Sequence, residues 1–204
     1  MQIKVKVLQE GKKIRIDGGR LSFPSLFTPV SYKNEATAPA KYNATVLLPK
    51  ECEEAIATIE AQVKKAIETM FDTPAAQKKA LANMRNQPNY RILKDGDEKE
   101  DRDGYPEHWY IHASNVRAPM VMNQKRVRIM EDDGSIQAGD YVSIIIDFYK
   151  SKNYGIVCAS LSAVQKMKTG DRFSSSAANA SDFDDVAVED DDNEATGTDG
   201  EAYF

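Results

Sequence analysis

The first fifty residues contain three segments in which apolar and polar residues alternate, a pattern typical of half-buried β-strands. These segments span residues 3–8, 13–17 and 41–48. In the third segment, one face carries the side chains of Tyr42, Ala44, Val46 and Leu48. Between the second and third segments, Gly18-Gly19 interrupts the alternation, and Pro24 and Pro29 limit strand pairing because proline lacks a backbone donor. We therefore predict three strands, with a loop between the second and the third.

From residue 50 to residue 71, apolar residues recur at helical spacing with charged residues around them, which predicts an amphipathic helix. Thr73 and Pro74 have the pattern of an N-cap and a first helical residue. We expect this second, short helix to reach about Met84 or Arg85. Two consecutive helices are therefore predicted after the first group of strands.

Residues 86–106 are polar, charged and rich in turn-forming residues, so we predict a long loop there. Strand patterns then return over residues 108–113, 119–121, 126–130, 141–149 and 154–164. The segment 141–149 is the strongest strand of the sequence, and a turn at 151–153 predicts that it forms a hairpin with 154–164.

The order of strands, helices and strands lacks the regular alternation that is typical of parallel α/β sheets. We therefore predict an all-β fold with a helical insertion. The favoured architecture is the OB-fold, a five-stranded antiparallel Greek-key barrel with a helix between strands.

The charge of the chain is distributed unevenly between its two parts. Residues 173–204 contain ten acidic residues and no lysine or arginine, which gives −10, whereas residues 1–172 contain 27 basic and 22 acidic residues, which gives +5. Because the acidic segment has too few apolar residues to offset its ordering entropy, we expect it to be disordered. We predict an OB-fold single-stranded DNA-binding domain over 1–172 and an acidic tail over 173–204.

Catalysis and metal binding have little support in the sequence. His108 and His112 are four residues apart on a predicted strand, which separates them by roughly 13 Å and is too far for one shared ion. The acidic segment 95–104 does not have the ligand spacing of a calcium loop, and no nucleotide-binding or nucleophile motif is present. We therefore expect no enzyme activity, no cofactor and no metal.

Two features of the sequence bear on the cellular location of the protein. No run of about 18 apolar residues could span a membrane, and residues 1–7 lack the apolar stretch of a signal peptide. We expect a cytoplasmic protein in which Cys52 and Cys158 are reduced thiols.

Nucleic-acid binding has better support, because proteins that hold single strands combine basic groups with aromatic faces on which bases stack. Candidates of both kinds lie on predicted strands and adjoining loops: Lys41, Tyr42, Tyr90, Arg91, Tyr110, His112, Arg117, Lys125, Arg126, Arg128, Tyr149, Lys150, Lys152 and Tyr154. Aromatic residues in strands also belong to cores, and we assign Trp109, Phe23 and Phe148 to the core in preference. Tyr110, Tyr149 and Tyr154 are the better stacking candidates, since the first two lie opposite the apolar faces of their strands.

The acidic segment has features beyond its charge. Isolated aromatic residues lie within it, and Phe204 places a ring next to a terminal carboxylate. We expect the segment to bind a basic, apolar-lined pocket of a partner protein, through Phe204, Tyr203, Asp190, Asp191 and Asp192. An acidic segment tethered to a basic surface would also compete with DNA at high effective concentration.

The chain resembles the single-stranded DNA-binding proteins of tailed bacteriophages. The segments that carry the resemblance are residues 19–27, 41–50, 139–142, 148–149 and 162–166, together with the acidic tail and its last aromatic residue. The resemblance implies an OB-fold, protection of single-stranded DNA in phage replication and recombination, location in the bacterial host cytoplasm, and a tail that recruits replication proteins through Phe204. It provides no residue-level DNA site.

The leading hypothesis is a protein that coats single-stranded DNA without sequence preference during phage DNA replication, recombination and repair. The alternative is an acidic-tailed adaptor that mimics DNA on a replication or host-defence enzyme. The oligomeric state stays open, a homodimer included.

Overall fold

The computed structural model describes residues 1–31 and 39–173. The strands are Lys4–Gln9 (β1), Lys13–Val30 (β2), Lys41–Pro49 (β3), Leu93–Asp95 (β4), His108–Asn115 (β5), Met120–Met122 (β6), Tyr141–Lys150 (β7) and Val157–Lys168 (β8). The helices are Glu53–Met70 (α1) and Pro74–Asn86 (α2). The tail candidates Phe204, Tyr203, Asp190, Asp191 and Asp192 lie outside the described residues.

The strands form one sheet in the order β4-β5-β3-β2-β7-β8-β6, and β1 pairs with β2. Every pairing is antiparallel except that of β6 with β8. β5 also contacts β8, and the Asn115 Nδ2 donates to the Leu161 carbonyl oxygen at 3.0 Å. The sheet therefore curls, so that β2, β3, β5, β8 and β7 follow one another around the core. The prediction of a mostly β protein with inserted helices is confirmed.

The core lies between this curled sheet and α1. Ile14 and Ile16 on β2 and Ile144 and Ile146 on β7 are fully or almost fully buried, and their strands pair in that register. Helix α1 contacts β1, β7 and β8 and buries Ile59 and other apolar residues of one face. Each such side chain contributes on the order of 1.5–3 kcal/mol by leaving water, so the periodic apolar residues decide which faces turn inward.

Both predicted helices are present. The Thr73 Oγ1 accepts a hydrogen bond from the Ala76 backbone N–H at 3.2 Å, and Pro74 is the first residue of α2. This cap satisfies one of the backbone donors that the first turn of a helix leaves free.

The predicted loop between the second and third strands is wrong, because β2 continues to Val30. The register of β2 against its neighbours shifts between Asp17 and Gly19 and again between Ser22 and Ser25. These irregularities are β-bulges, which insert residues without ending a strand. Pro24 lies within the second shift, where it does not have to donate a ladder hydrogen bond.

Three further boundaries differ from the sequence prediction. The long loop 86–106 contains β4, which pairs with β5. Residues 126–130 form no strand and only one isolated bridge, between Met122 and Arg128. β8 starts at Val157, so Tyr154 lies in the preceding turn. Each of these segments is short or rich in polar residues, so its pairing depends on a distant strand.

Candidate nucleic-acid interface

The side of β2, β3, β4 and β5 that faces away from the core carries a continuous row of cross-strand neighbours. Arg20 is paired with Leu47, and Leu47 with Tyr110, which in turn is paired with Lys94. Because side chains directly opposite each other in a sheet share a face, these residues lie on one side. We call this side the outer face; it also includes Ser22, Lys41, Thr45 and His112.

The loop between β4 and β5 folds back over the outer face. Tyr105, in this loop, is buried, and its ring lies 5.2 Å from the Tyr110 ring in an edge-to-face arrangement. The Ser22 hydroxyl donates to the Tyr105 hydroxyl at 3.5 Å. Leu47, Tyr105 and Tyr110 thus form a small apolar cluster separate from the main core.

The prediction that Tyr110 stacks on a base therefore needs a correction. Its side chain points away from the main core, as its place opposite Ile111 predicted, but it is only 7% exposed because the loop covers it. A ring in this position supports the neighbouring groups and has little free face for a base.

Four charged or aromatic side chains surround the small cluster. The Lys94 and Lys99 ammonium groups lie 5.8 Å and 5.5 Å from the centre of the Tyr110 ring. The Arg102 guanidinium lies 5.2 Å from the Phe23 ring and 5.9 Å from the Tyr105 ring. Cations at these distances from ring faces are attracted by the ring quadrupole, so the loop holds its basic groups over aromatic rings.

Phe23 is the most accessible aromatic ring of this group. It was assigned to the core from the sequence, and that assignment is wrong, since the side chain is 59% exposed. Its backbone φ is +42°, in the left-handed region that a phenylalanine adopts only at a cost. The bulge between Ser22 and Ser25 holds this conformation and turns the ring toward the Tyr105 ring, 6.3 Å away.

The outer face is electrostatically positive. Desolvation is the largest cause of a lowered pKa of the His112 imidazole, and the charges of Lys94, Lys41 and Lys99 contribute to the final value of about 4. Desolvation and the charge of Lys99 likewise lower the pKa of Lys94. Within residues 1–31 and 39–173, no carboxylate forms an ion pair with Lys94 or Lys99. Desolvation is the largest cause of both pKa shifts, and the neighbouring lysine charges add to it.

A neighbouring cation behaves differently. The Lys50 ammonium lies 2.6 Å from a carboxylate oxygen of Asp95 and 2.6 Å from one of Asp97. Hydrogen bonds to these two carboxylates raise the pKa of Lys50. Lys50 is therefore already neutralised within the protein, whereas Lys94 and Lys99 form no such ion pair with a carboxylate of the described residues.

The end of the β7–β8 hairpin carries four of the sequence candidates. Tyr149 and Tyr154 are 42% and 56% exposed, and Lys150 and Lys152 are also exposed. The Tyr154 ring lies 5.5 Å from that of Tyr90, so these two candidates are brought together. We call this group the hairpin tip.

The hairpin tip adjoins the outer face. Tyr149 is paired with Cys158 across the hairpin. Burial raises the pKa of the Cys158 thiol, while the nearby charges of Lys94 and Lys41 act in the opposite direction. The hairpin strand β8 also contacts β3 and β5, which carry the outer face.

A third group of candidates lies elsewhere on the sheet. Lys125 and Arg126 belong to a turn that Asn123 organises, since its Oδ1 accepts from the Lys125 and Val127 backbone N–H groups. Arg128 follows this turn, and Arg117 follows β5; all four basic side chains are exposed. The turn follows β6, which pairs with β8 at residues 163–165, away from the hairpin tip. The structure does not bring this group together with the hairpin tip.

Three remaining candidates have separate positions. Lys41 is exposed at the start of β3, and Tyr42 is partly buried next to its strand partner Asn115. The Arg91 guanidinium donates to the backbone carbonyl oxygens of Met84 and Arg85 at 3.2 Å and 2.9 Å. These hydrogen bonds satisfy the free carbonyl groups at the end of α2, so the structure uses Arg91 to hold a helix end.

Comparison with known proteins relates this geometry to a family. A family model described as the ssDNA-binding protein of Enterobacter phage Enc34 matches residues 12–194. The chain belongs to this family. The protein p50 of Acyrthosiphon pisum secondary endosymbiont phage 1 is 34% identical over 178 residues, which cover 86% of this chain and 95% of p50. The resemblance to phage single-stranded DNA-binding proteins is confirmed.

Solved structures of the Enc34 protein have the same fold. The Enc34 protein in complex with ssDNA superposes with a TM-score of 0.61 at 23% identity, covering 85% of this chain and 99% of that one. A second Enc34 structure gives a TM-score of 0.61 at 22% identity, with coverage of 89% and 98%. These likenesses show the fold of the Enc34 family in this chain.

The family model is described as that of an ssDNA-binding protein. Across residues 1–31 and 39–173, no three His, Cys, Asp or Glu side chains are grouped so that they could hold a metal ion. In the same part of the chain, no helix has the length and apolar character needed to cross a membrane.

Sequence reasoning missed six residues of this surface: Arg20, Phe23, Lys94, Lys99, Arg102 and Tyr105. Arg20 had a usable signal, because Arg20 and Ser22 alternate with Leu21 as in a strand. Phe23 had none, because its exposure depends on the bulge between Ser22 and Ser25. The other four lie in a segment of mixed charge. Strand pairing places Lys94, and contacts with the Tyr105 and Tyr110 rings place the rest.

Proposed function

We propose that this chain binds single-stranded DNA without sequence preference, and that the outer face is its principal contact surface. The observation that carries the proposal is the position of Phe23, Arg102, Lys94 and Lys99 on one side of the sheet, in a member of the Enc34 family. Cations neutralise phosphates, and exposed rings stack on bases of any kind. Phe23 and Arg102 together offer an aromatic face and a guanidinium plane within 5.2 Å of each other.

We infer further that β2, β3, β5, β8 and β7 are the five strands of an OB-fold barrel over 1–172, with α1 and α2 as the insertion. The strand order and the contact of β5 with β8 support this assignment. In OB-folds, oligonucleotides bind across the face of the second and third strands and the adjoining loops. In the present chain those strands are β3 and β5, which carry the outer face.

The hairpin tip extends the proposed DNA path. Tyr149, Lys150, Lys152 and Tyr154 are exposed next to the outer face, so a strand that leaves Lys41 and Lys94 would meet them next. Replacing Tyr149 or Tyr154 by alanine should weaken DNA binding while the melting temperature stays unchanged. A lower melting temperature with unchanged affinity would assign these rings to packing instead.

The group of Arg117, Lys125, Arg126 and Arg128 is a further candidate contact for the phosphate backbone. Its four exposed cations follow the C-terminal ends of β5 and β6. In this proposal the strand would continue from His112 along β5 toward Arg117. Tyr42 shares the core-facing side of β3 with Ala44 and Val46, so it lies on the opposite side of the sheet from this path.

In the cell, we propose, the protein coats and protects single-stranded DNA during phage replication, recombination and repair in the cytoplasm of the bacterial host. The acidic segment 173–204 would regulate DNA binding and recruit replication proteins, with Phe204 and Tyr203 as the apolar contacts and Asp190, Asp191 and Asp192 as the charged ones. The charge of −10 against a body of +5 supports this role.

One pair of binding measurements tests the proposal. Binding of a labelled oligo-dT should be measured by fluorescence anisotropy over a salt series, with the full chain and with a chain lacking residues 174–204. We expect salt-sensitive binding that is kept or strengthened by the deletion. Absence of binding at low salt in both proteins would refute the proposal.

The same deletion addresses the alternative function. The acidic composition of 173–204 also fits an adaptor that mimics DNA on a replication or host-defence enzyme. In that case the acidic segment would be needed for all activity and the body for none, so the shortened chain would lose function.

A further inference from the structure

Phe173 fills a notch at the edge of the outer face. The ring packs against the small cluster of Leu47, Tyr105 and Tyr110. On its other side, the Arg20 guanidinium carbon lies 4.4 Å from the ring centre. The sequence assigned Phe173 to the acidic tail, yet its side chain lies among the groups proposed to contact DNA.

The walls of the notch are shaped closely around a flat ring. Gly104 has a φ of +79°, and a Cβ atom there would overlap the Phe173 ring. The position therefore favours glycine for two reasons, its backbone conformation and the space that the ring takes. Arg20 is held beside the ring by two hydrogen bonds, from its Nη2 to the Asp171 carbonyl oxygen at 2.6 Å and from its Nε to the Gly139 carbonyl oxygen at 3.3 Å.

The Phe173 ring resembles a stacked nucleobase, because it is flat and lies over the Arg20 guanidinium. An aromatic ring over a guanidinium plane is the arrangement in which arginine stacks on nucleobases. The notch adjoins Phe23 and Arg102 through Tyr105, which contacts both. A DNA strand on the outer face would thus carry bases past the position that Phe173 now fills.

The segment that carries Phe173 follows the last strand of the sheet, β8. Residues 169–173 form no strand or helix. The hydrogen bonds that hold this segment include Arg20 to Asp171 and the Gly170 N–H to Asp140 at 3.3 Å.

We propose that the notch formed by Arg20, Leu47, Gly104 and Tyr105 is a nucleobase-binding site, and that Phe173 occupies it as an internal stand-in when DNA is absent. On binding, a base of the single strand replaces the ring and stacks on Arg20. This inference rests on the proposed DNA binding by the outer face and adds one defined base site and its competitor.

The first test uses F173A in the full chain. If Phe173 leaves the notch open in about a tenth of the molecules, its removal strengthens binding of oligo-dT by about tenfold. The matched control is F183A, which removes an aromatic ring from the acidic segment but leaves Phe173 in place, and it should leave affinity unchanged. Equal effects of F173A and F183A would overturn the inference, as would an F173A affinity that is unchanged or weaker.

The second test asks whether Arg20 receives the base. R20K keeps the charge but removes the flat guanidinium, so the double variant R20K/F173A should lose most of the tenfold gain. Retention of the full gain in the double variant would overturn the assignment of the base to Arg20.

A third measurement follows the Phe173 ring in the otherwise unaltered chain. The chain has seven phenylalanines, and 4-fluorophenylalanine labelling gives each of them a ¹⁹F signal. The Phe173 signal, identified by its absence in F173A, should move when oligo-dT is added to the otherwise unaltered chain. An unmoved signal at saturating DNA would overturn the inference, whereas failure of oligo-dT to bind at all would instead refute the proposed function.

Discussion

The salt dependence of DNA binding should report how many cations of the outer face contact phosphates. Arg20, Lys41, Lys94, Lys99 and Arg102 lie on or over this face. Each phosphate that is neutralised on a single strand contributes about −0.7 to the slope of log affinity against log salt, so five contacts give a slope of about −3.5. Between 50 mM and 200 mM salt, the affinity should then fall by about two orders of magnitude.

The double variant K99A/R102A removes two of these cations from the loop that covers the face. Its slope should fall in magnitude by about 1.4, to about −2.1, because two fewer counterions are released. The matched control is K64A/K65A, which removes the same charge from the exposed side of α1, a helix that contacts β1, β7 and β8. The control should keep the slope of the unaltered chain.

Fluorescence anisotropy of a labelled oligo-dT at five or more salt concentrations measures each slope, and thermal unfolding of each variant shows whether it is folded. A folded K99A/R102A variant with an unchanged slope would show that the loop does not contact phosphates. A control slope reduced by the same amount would mean that net charge, and not the outer face, sets the affinity.

Three further outcomes follow from individual side chains. F23A should weaken oligo-dT binding by about 1–3 kcal/mol, the range for one stacked base. Its melting temperature should not change, because the ring is exposed. A lowered melting temperature at unchanged affinity would count against a stacking role. The pKa of His112 is about 4 in the folded chain, against an ordinary value of 6.5. Between these two pH values the unfolded chain binds more protons than the folded chain. The free energy of unfolding should therefore fall as the pH drops from 6.5 to 4. H112Q should remove that part of the pH dependence in urea unfolding, and an identical dependence in both proteins would contradict the lowered pKa. K166M should lower the free energy of unfolding by about 3–5 kcal/mol, because it leaves the fully buried Asp140 carboxylate without the Lys166 ammonium 3.0 Å away. In urea unfolding, D140N/K166M should recover much of this loss. A K166M protein as stable as the original would refute the role of the pair.

The buried faces of the strands were predictable from the sequence because alternation follows directly from strand geometry. Val46 and Leu48 turn inward on β3, as does Ile111 on β5, and each lies where the apolar pattern placed it. The second helix start was predictable for a similar reason, since Thr73 and Pro74 act on their own first turn. In each case the decisive interaction lies within a few residues of the pattern that indicates it.

Two aromatic residues show where the alternation of apolar and polar positions was insufficient to predict exposure. Phe23 and Tyr110 both lie in strands, and alternation assigned the first to the core and the second to solvent. The structure reverses both exposures, since a bulge turns Phe23 outward and the loop carrying Tyr105 covers Tyr110. A bulge depends on the register of two strands, and a covering loop depends on residues that share no periodicity with the strand beneath.

The sequence by itself determined the class of this protein: a β-rich body with two helices, a positive body charge of +5, an acidic segment of −10 and a resemblance to phage single-stranded DNA-binding proteins. These features depend on composition and on local periodicity. Only the tertiary structure decided which cations and rings share a surface, because Arg20, Lys94 and Arg102 meet through the pairing of β2, β3, β5 and β4 and the loop between the last two. Residues far apart in the chain come together only when their strands pair, and that pairing is set by the packing of the whole core.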